Sequence, residues 1–330
     1  MKVNNILLVL QLVLITAISC YAQSNVPYQY DKDLLPALFF SANRDQLRSL
    51  MPDSSIAVFF SAPVRNRAND VNYTYHQDPD FYYLTGFRDA DAVLFIFKSP
   101  VKTADGRIIN ERLIIPERDV QQELWTGRMA EPAEVTAISG VRNVEVASAQ
   151  GIMDFNYSAF SKVLHKRFPQ GVVDDRNDGF DLFDLIKQFK ASANYPSAND
   201  DDFLLAKYTG KLRHQKNALE IEILQKAIDF SVAAHLAMMG SLTPGMTEYQ
   251  VEAVGEYHFH RQGAEDIGYP SICGASENGC ILHYEKNRRT TSSGDLILLD
   301  MGAEYHGYTA DITRTLPVNG TFTDEQAKIY

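Results

Sequence analysis

The sequence predicts two domains in series, first an α/β domain with a mixed sheet covered by helices and then an α+β domain. Its length of 330 residues is enough for about two domains. Across residues 31–190, short apolar runs that predict strands alternate with helical stretches, which is typical of an α/β sheet. From residue 204 onwards, helical patterns come before a cluster of short β-branched runs, which indicates a separate α+β domain.

The first 22 residues predict a secretory signal peptide. Lys2 supplies a positive start, an apolar run covers residues 6–18, and Ala22 is a plausible cleavage site. We therefore expect an exported protein, periplasmic or secreted. A lipid anchor on Cys20 is the alternative, and Ala17 argues against it because leucine usually occupies that position.

The first domain is predicted over residues 31–190 and the second over residues 204–330. Between them, residues 191–203 are rich in Ser, Asn and Asp, which predicts a linker. The predicted elements of the first domain are a helix over 42–50 and strands over 55–61, 92–98 and 107–116.

Two helices are predicted in the second domain. A capping box at Asn217 and Glu220 begins a long helix that ends near Met239. Its apolar residues recur every three or four positions and predict the core face, which is Ile221, Leu224, Ile228, Val232, Leu236 and Met239. Three glutamates spaced four residues apart predict a solvated face on the next helix, namely Glu248, Glu252 and Glu256.

Two acids in a predicted hairpin indicate a metal site. Asp300 ends an apolar strand, and Asp311 lies in the β-branched strand that returns. A turn at Tyr305 and His306 would place the two carboxylates opposite each other, with Cβ atoms about 4.5–5.5 Å apart. Like charges at that distance repel, so a hard divalent cation between them is the simplest explanation. The alternative is that both are ordinary turn residues that bond to nearby backbone.

Several stretches resemble one enzyme family. The runs NGCILHY, LLDMGAEYHGYTADITRT and PVNGTF are similar to the Xaa-Pro aminopeptidases (aminopeptidase P), metallopeptidases of the pita-bread fold in family M24B. DFYYLTGF and ELWTGR resemble the N-terminal domain of the same group. The resemblance implies an α/β N-terminal domain, with helices on a mixed sheet, followed by an α+β pita-bread domain of the creatinase/aminopeptidase type.

The resemblance also implies an activity and a site. Members release the N-terminal residue from peptides with proline at position two, using two metal ions. Manganese is expected, with zinc or cobalt still open. Asp300 and Asp311 match the first two of five ligands, His283 matches a catalytic histidine, and Trp125 and Arg213 match substrate-binding residues. The family's tryptophan can reach a neighbouring subunit, which implies a homo-oligomer, a dimer or a tetramer.

The chain departs from the family pattern at its end. The remaining ligands of the family, a histidine and two glutamates, lie further along than Tyr330, where this chain stops. We therefore expect a C-terminally truncated chain whose residues 204–330 form the N-terminal half of an incomplete pita-bread domain. Such a chain should bind metal poorly and show little turnover.

Other functions are less well supported by the residues. A prolidase shares the plan but cuts only dipeptides, and a non-catalytic binding relative on the same fold would have lost the aspartates that are intact here. A net charge of −11 without a basic stripe argues against nucleic-acid binding. Cys273 and Cys280 are either bridged or buried as thiols, and the place of Cys280 in the NGCILHY run favours thiols.

Overall fold

A computed structural model describes residues 33–103, 105–147, 153, 155–175 and 179–330, and the chain divides into two compact units after Leu205. The predicted order of an α/β part and an α+β part is confirmed. The signal peptide predicted over residues 1–22 lies outside the described residues. In the described ranges, no helix has the length and apolarity needed to cross a bilayer.

The first unit is built on a mixed six-stranded sheet. The order across the sheet is β6-β5-β4-β1-β7-β8. β4 pairs antiparallel with both β1 and β5, whereas β7 runs parallel to β1 and to β8, and β6 runs parallel to β5. The strands are β1 (Ser55–Phe60), β4 (Val93–Lys102), β5 (Ile108–Ile115), β6 (Val144–Val146), β7 (Lys162–His165) and β8 (Asp200–Asp201), with a separate hairpin of β2 (Asn66–Ala68) and β3 (Val71–Asn72).

Apolar content explains which strands lie at the centre. β1 is SIAVFF and the first half of β4 is VLFIF, and nearly all of these residues are buried because both faces of the sheet are covered. The helices are α1 (Ala37–Leu50), α2 (Pro79–Thr85), α3 (Val120–Thr126), α4 (Pro132–Ser139) and α5 (Leu182–Ser192). Because β8 pairs with β7, part of the predicted linker over residues 191–203 belongs to the sheet of this unit.

The DFYYLTGF stretch forms α2 for local reasons. Asp78 caps the helix by accepting hydrogen bonds from two backbone amides, and Pro79 occupies the first turn, where no amide donor is needed. Gly86 ends the helix with φ of 66°, in the left-handed region that favours glycine. A Cβ at this position would lie 2.6 Å from the ring of Phe40, so the packing also requires glycine.

A fully buried arginine joins several elements of the first unit. Arg44 of α1 donates two hydrogen bonds, of 2.9 and 3.0 Å, to the carboxylate of Glu111 on β5. It also donates to the carbonyl oxygens of Leu84 at the end of α2 (2.8 Å) and Ser139 at the end of α4 (2.9 Å). The guanidinium therefore satisfies helix-end carbonyls that have no partner within their own helices.

The second unit contains helices and two small sheets. Its core cluster includes Met238, Val251, Phe259, Ile297 and Leu299. The sheets have the orders β10-β11-β14 and β13-β12-β9. The elements are α6 (Leu204–His214, which contains the boundary), α7 (Ala218–Ser241), α8 (Glu248–Gln262), β9 (Asp266–Ile267), β10 (Ile272–Ala275), β11 (Leu296–Asp300), β12 (Ala303–Tyr305), β13 (Tyr308–Thr309), β14 (Thr313–Pro317) and α9 (Asp324–Ile329).

The predicted core face of α7 is wrong. Four of its six residues are exposed, at 41–62% of their surface, namely Ile221, Val232, Leu236 and Met239. The helix instead buries Ile223, Ala227 and Met238 together with the polar residues Ser231 and His235. Apolar residues recur on both sides of α7, so periodicity alone could not choose between them. The buried side is the one whose polar groups bond to the strands below.

Replacement of Arg44 by methionine should destabilise the first unit by about 3–5 kcal/mol, because it leaves the buried Glu111 carboxylate without its main partner. Urea unfolding followed by amide exchange and mass spectrometry would report the two units separately. Arg167→Met is the matched control, since that side chain is 90% exposed and its surface ion pair contributes about 0–1 kcal/mol. Equal stability losses in the two variants would contradict the prediction.

Candidate functional site

The hairpin that carries the two acids has a different register from the predicted one. Asp300 lies opposite Thr313, and Tyr305 lies opposite Tyr308. The two turn residues are therefore His306 and Gly307, with φ of 48° and 75°. Positive φ at both positions defines a type I′ turn, and glycine at the second position favours it. The predicted turn at Tyr305 and His306 is wrong by one residue, so Asp311 does not lie directly opposite Asp300.

This error leaves the two acids on the same face. Moving the turn by one residue changes the strand pairing by two positions, and side chains alternate between faces with a period of two. Asp311 therefore occupies a diagonal position relative to Asp300 and not the opposite face. The turn itself is held by Glu265, whose carboxylate lies 2.9 Å from the amide and 2.8 Å from Nδ1 of the buried His306.

A tyrosine brings the two carboxylates together. The hydroxyl of Tyr269 lies 2.7 Å from Oδ1 of Asp300 and 3.2 Å from Oδ1 of Asp311. Burial raises the pKa of Tyr269 well above its ordinary value, and its hydrogen bond to Asp300 raises it further. The hydroxyl thus keeps its proton and serves as a donor between two acceptors. Sequence reasoning missed this residue, because it is 31 and 42 positions away from the acids.

Close backbone contacts fix the segment between the acids. A Cβ on Gly302 would lie 1.8 Å from the carbonyl oxygen of Ala310, so only glycine lets the two strands approach here. From the helix side, Ser231 accepts a 2.9 Å hydrogen bond from the amide of Ala303, and Nε2 of His235 lies 3.3 Å from the carbonyl oxygen of Met301. Burial lowers the pKa of His235, which favours the neutral ring.

His283 lies on an exposed loop that follows a short 3₁₀ turn, Ser276–Cys280. Within the described residues, no hydrogen bond or ion pair joins it to either aspartate. The neighbouring Tyr284 is 8% exposed and anchors the loop through Glu248, which is fully buried. The predicted solvated face is therefore wrong for Glu248, because its carboxylate accepts backbone and side-chain donors from this loop. Cys273 is buried and Cys280 is exposed, both as free thiols, so the expectation of two buried thiols holds only for Cys273.

The two predicted substrate contacts belong to helices and not to the hairpin. Trp125 belongs to α3 in the first unit and is 91% exposed. Arg118 stabilises the segment around it through ion pairs of 2.7 Å with Glu123 and 2.9 Å with Glu131. Arg213 is a half-buried residue near the end of α6.

The acids fit part of a metal site. Two carboxylate oxygens that point to one hydroxyl are suitable ligands for a hard divalent ion, but such ions take about six oxygen ligands. Over the residues that the structure describes, no group of three or more His, Cys, Asp or Glu residues could hold a metal. Two carboxylates alone therefore do not complete a metal centre in the part of the chain that the structure describes.

Gly302→Ala should lower the free energy of unfolding of the second unit by about 1–3 kcal/mol, because the new Cβ forces Ala310 away. Amide exchange across residues 300–312 would show the change. Gly240→Ala is the control, since no atom lies within 4 Å of its added Cβ and alanine in a helix should be neutral or stabilising by up to about 1 kcal/mol. The prediction fails if both variants are as stable as the parent chain.

Tyr269→Phe should lower the free energy of unfolding by about 1–2 kcal/mol, because it removes the hydroxyl that the two carboxylates share and a hydrogen bond to a charged group is lost. Chemical denaturation of both proteins would measure the difference. Tyr257→Phe serves as the control because Tyr257 is 60% exposed. A Tyr269→Phe protein with unchanged stability would show that the hydroxyl does not hold the acids together.

Comparisons with known proteins agree with this architecture. The family described as "Aminopeptidase P, N-terminal domain" matches residues 40–154, and "Metallopeptidase family M24" matches residues 222–330. Xaa-Pro aminopeptidase of Escherichia coli is 34% identical over 88% of this chain, and that of Haemophilus influenzae is 30% identical over 90%. The chain spans 64% of the length of each of these relatives.

Solved structures show the same relationship. Escherichia coli aminopeptidase P in complex with substrate superposes with a TM-score of 0.75 and 33% identity, covering 90% of this chain and 66% of that one. Pseudomonas aeruginosa aminopeptidase PepP superposes with a TM-score of 0.72 and 32% identity, covering 89% of this chain and 64% of that one. The second unit thus corresponds to an incomplete pita-bread domain. The chain belongs to metallopeptidase family M24, in the group that carries the aminopeptidase P N-terminal domain.

Proposed function

We propose that this chain carries part of the active site of a metal-dependent exopeptidase that releases the N-terminal residue from peptides with proline at position two. The observation that carries the proposal is the convergence of Asp300 and Asp311 on the hydroxyl of Tyr269. Relatives named Xaa-Pro aminopeptidase support the substrate class. A proline imide has no N–H, so the binding pocket has to recognise the shape of the ring.

Asp300 and Asp311 are proposed as ligands of two divalent ions. Their oxygen donors suit manganese better than softer metals, with zinc and cobalt as alternatives. When bound, the metal pair supplies an activated water and polarises the scissile carbonyl. The role of this chain's own residues is to hold two carboxylates on one face of the hairpin. Tyr269 offsets part of their mutual repulsion by donating a hydrogen bond to Asp300 while its hydroxyl lies 3.2 Å from Asp311.

The remaining roles are proposed from the resemblance to the Xaa-Pro aminopeptidases. His283 is proposed to contact the substrate and to stabilise the tetrahedral intermediate, since its exposed ring can be reached by a peptide. Trp125 and Arg213 are proposed as substrate contacts. The 91% exposure of Trp125 is compatible with insertion into a neighbouring copy, which requires a homo-oligomer. Export through residues 1–22 is part of the same proposal.

The first test asks where a divalent ion binds. Mn²⁺ is paramagnetic, so added Mn²⁺ should broaden the amide signals next to Asp300 and Asp311 before any others. Asp300→Asn and Asp311→Asn should each abolish this selective broadening, because an amide is a poorer ligand for a hard ion. Asp229→Asn on the exposed side of α7 is the control and should change nothing. Unchanged broadening in both site variants would overturn the metal assignment.

The same samples distinguish the related activities. With Mn²⁺ present, an aminopeptidase of this type releases the first residue of an Xaa-Pro-Pro peptide, whereas a prolidase cleaves only the Xaa-Pro dipeptide. Mass spectrometry of both digests identifies the products. Cleavage of neither peptide, with selective broadening retained, would favour a non-catalytic binding relative.

A further inference from the structure

The loop over residues 275–289, which carries His283, is organised around one buried carboxylate. Glu248 is the first residue of α8, and its exposed fraction is 0%. Charged side chains are rarely buried to this extent without an ionic partner. No described cation forms an ion pair with Glu248, so the reason for its burial has to lie in its hydrogen bonds.

Four donors use the whole acceptor capacity of this carboxylate. Oε1 accepts from the amide of Ala275 (2.8 Å) and from Nδ2 of Asn278 (3.0 Å). Oε2 accepts from the hydroxyl of Tyr284 (2.7 Å) and the amide of Arg289 (2.8 Å). A single side chain therefore binds the beginning, the middle and the end of the loop.

Two further hydrogen bonds join the loop to α8 and to Tyr284. The amide of Glu248 donates a 2.9 Å hydrogen bond to the carbonyl oxygen of Arg289, so helix and loop are joined in both directions. The hydroxyl of Tyr284 accepts from Nδ2 of Asn278 at 2.8 Å while it donates to Glu248. Tyr284 is the residue next to His283, so its fixed ring determines where the backbone of His283 lies.

Only an ionised carboxylate fits this set of donors. A glutamine would point its own NH₂ donors at two of the four groups and leave them unsatisfied. An apolar side chain would leave all four groups without an acceptor, and each buried group left unpaired costs about 1–3 kcal/mol. The chemistry of the contacts thus requires an acid at position 248.

We propose that Glu248 is a positioning residue that holds His283 in place for substrate. The significance for catalysis rests on the proposed function above, but the positioning itself does not. Because a misplacement of about 1 Å can cost about 100-fold in rate, a loop held at both ends is a direct way to place an exposed imidazole.

The test compares Glu248→Gln with Glu285→Gln in the full chain. Glu285 is an exposed acid in the same loop, so its variant controls for the loss of one charge. In Glu248→Gln, amide exchange at Ala275 and Arg289 should be at least about tenfold faster. The imidazole signals of His283, assigned with His283→Gln, should broaden or split. Unchanged exchange and a single unchanged His283 signal would overturn the proposal.

A second variant keeps the test decisive if Glu248→Gln does not fold. Tyr284→Phe preserves the bonds from Glu248 to both backbone amides and removes the hydroxyl beside His283, with its bonds to Glu248, Asn278 and the amide of Arg288. Its His283 signals should shift while exchange at Ala275 stays within about twofold of the parent chain. A purely structural role for Glu248 would alter stability in this variant and leave the His283 signals as they are.

Turnover of an Xaa-Pro-Pro peptide is the third measurement that tests the proposal. Where the parent chain is active, Glu248→Gln should lower kcat by about 10–100-fold with a smaller change in KM. In a parent chain whose two carboxylates do not complete the metal centre, turnover is low and this measurement drops out. The exchange and imidazole measurements would still decide whether Glu248 positions His283.

Discussion

The second unit is organised around a repulsion that the fold has to overcome, namely two carboxylates held close together on one face of a hairpin. The hydroxyl of Tyr269 offsets it by donating toward both acids. Several neighbouring features serve the same end. Gly302 lets the strands approach, the turn at His306 and Gly307 sets the pairing, and α7 supports the segment between the acids. Each feature is common alone, and together they hold two anions close to one hydroxyl.

Another acid of this unit, Glu248, has a different environment from that of the two aspartates. Glu248 lies inside the protein and is satisfied by neutral donors, whereas Asp311 is exposed at the edge of the hairpin. A buried acid whose acceptors are all occupied has no capacity left for a ligand, so it acts on structure. Asp300 is half-buried and Asp311 is exposed, so ligands can reach both carboxylates, and for this reason the chemistry is proposed there. Burial and hydrogen-bond capacity together separate the two roles.

Sequence reasoning succeeded where local signals decide the outcome. Strands predicted over 55–61 and 92–98 appear as Ser55–Phe60 and Val93–Lys102, because a continuous apolar run has to be buried in a sheet. The capping box predicted at Asn217 is present and begins the long helix. The acid pair was also found, because period-two alternation kept it on one face in spite of the wrong turn.

The misses involve contacts that are distant in sequence. The buried side of α7 depends on bonds from Ser231 and His235 to residues 72 and 66 positions away, respectively, which helical periodicity does not encode. Glu248 and two other glutamates are spaced four residues apart, which is the pattern of a solvated face. The burial of Glu248 becomes evident only from the loop that folds over it. Tyr269 gave no signal at all, since its partners are supplied by later strands.

The sequence separation between Glu248 and its hydrogen-bond partners has a consequence for folding during synthesis on the ribosome. Its partners follow it by 27 to 41 positions in the chain. At synthesis rates of about 5–20 residues per second, Arg289 emerges about 2–8 s after Glu248. Helix α8 can form within that interval, but its first carboxylate must stay in water until the loop arrives. The part of this unit that bears His283 therefore takes its final form later than the helix that carries Glu248.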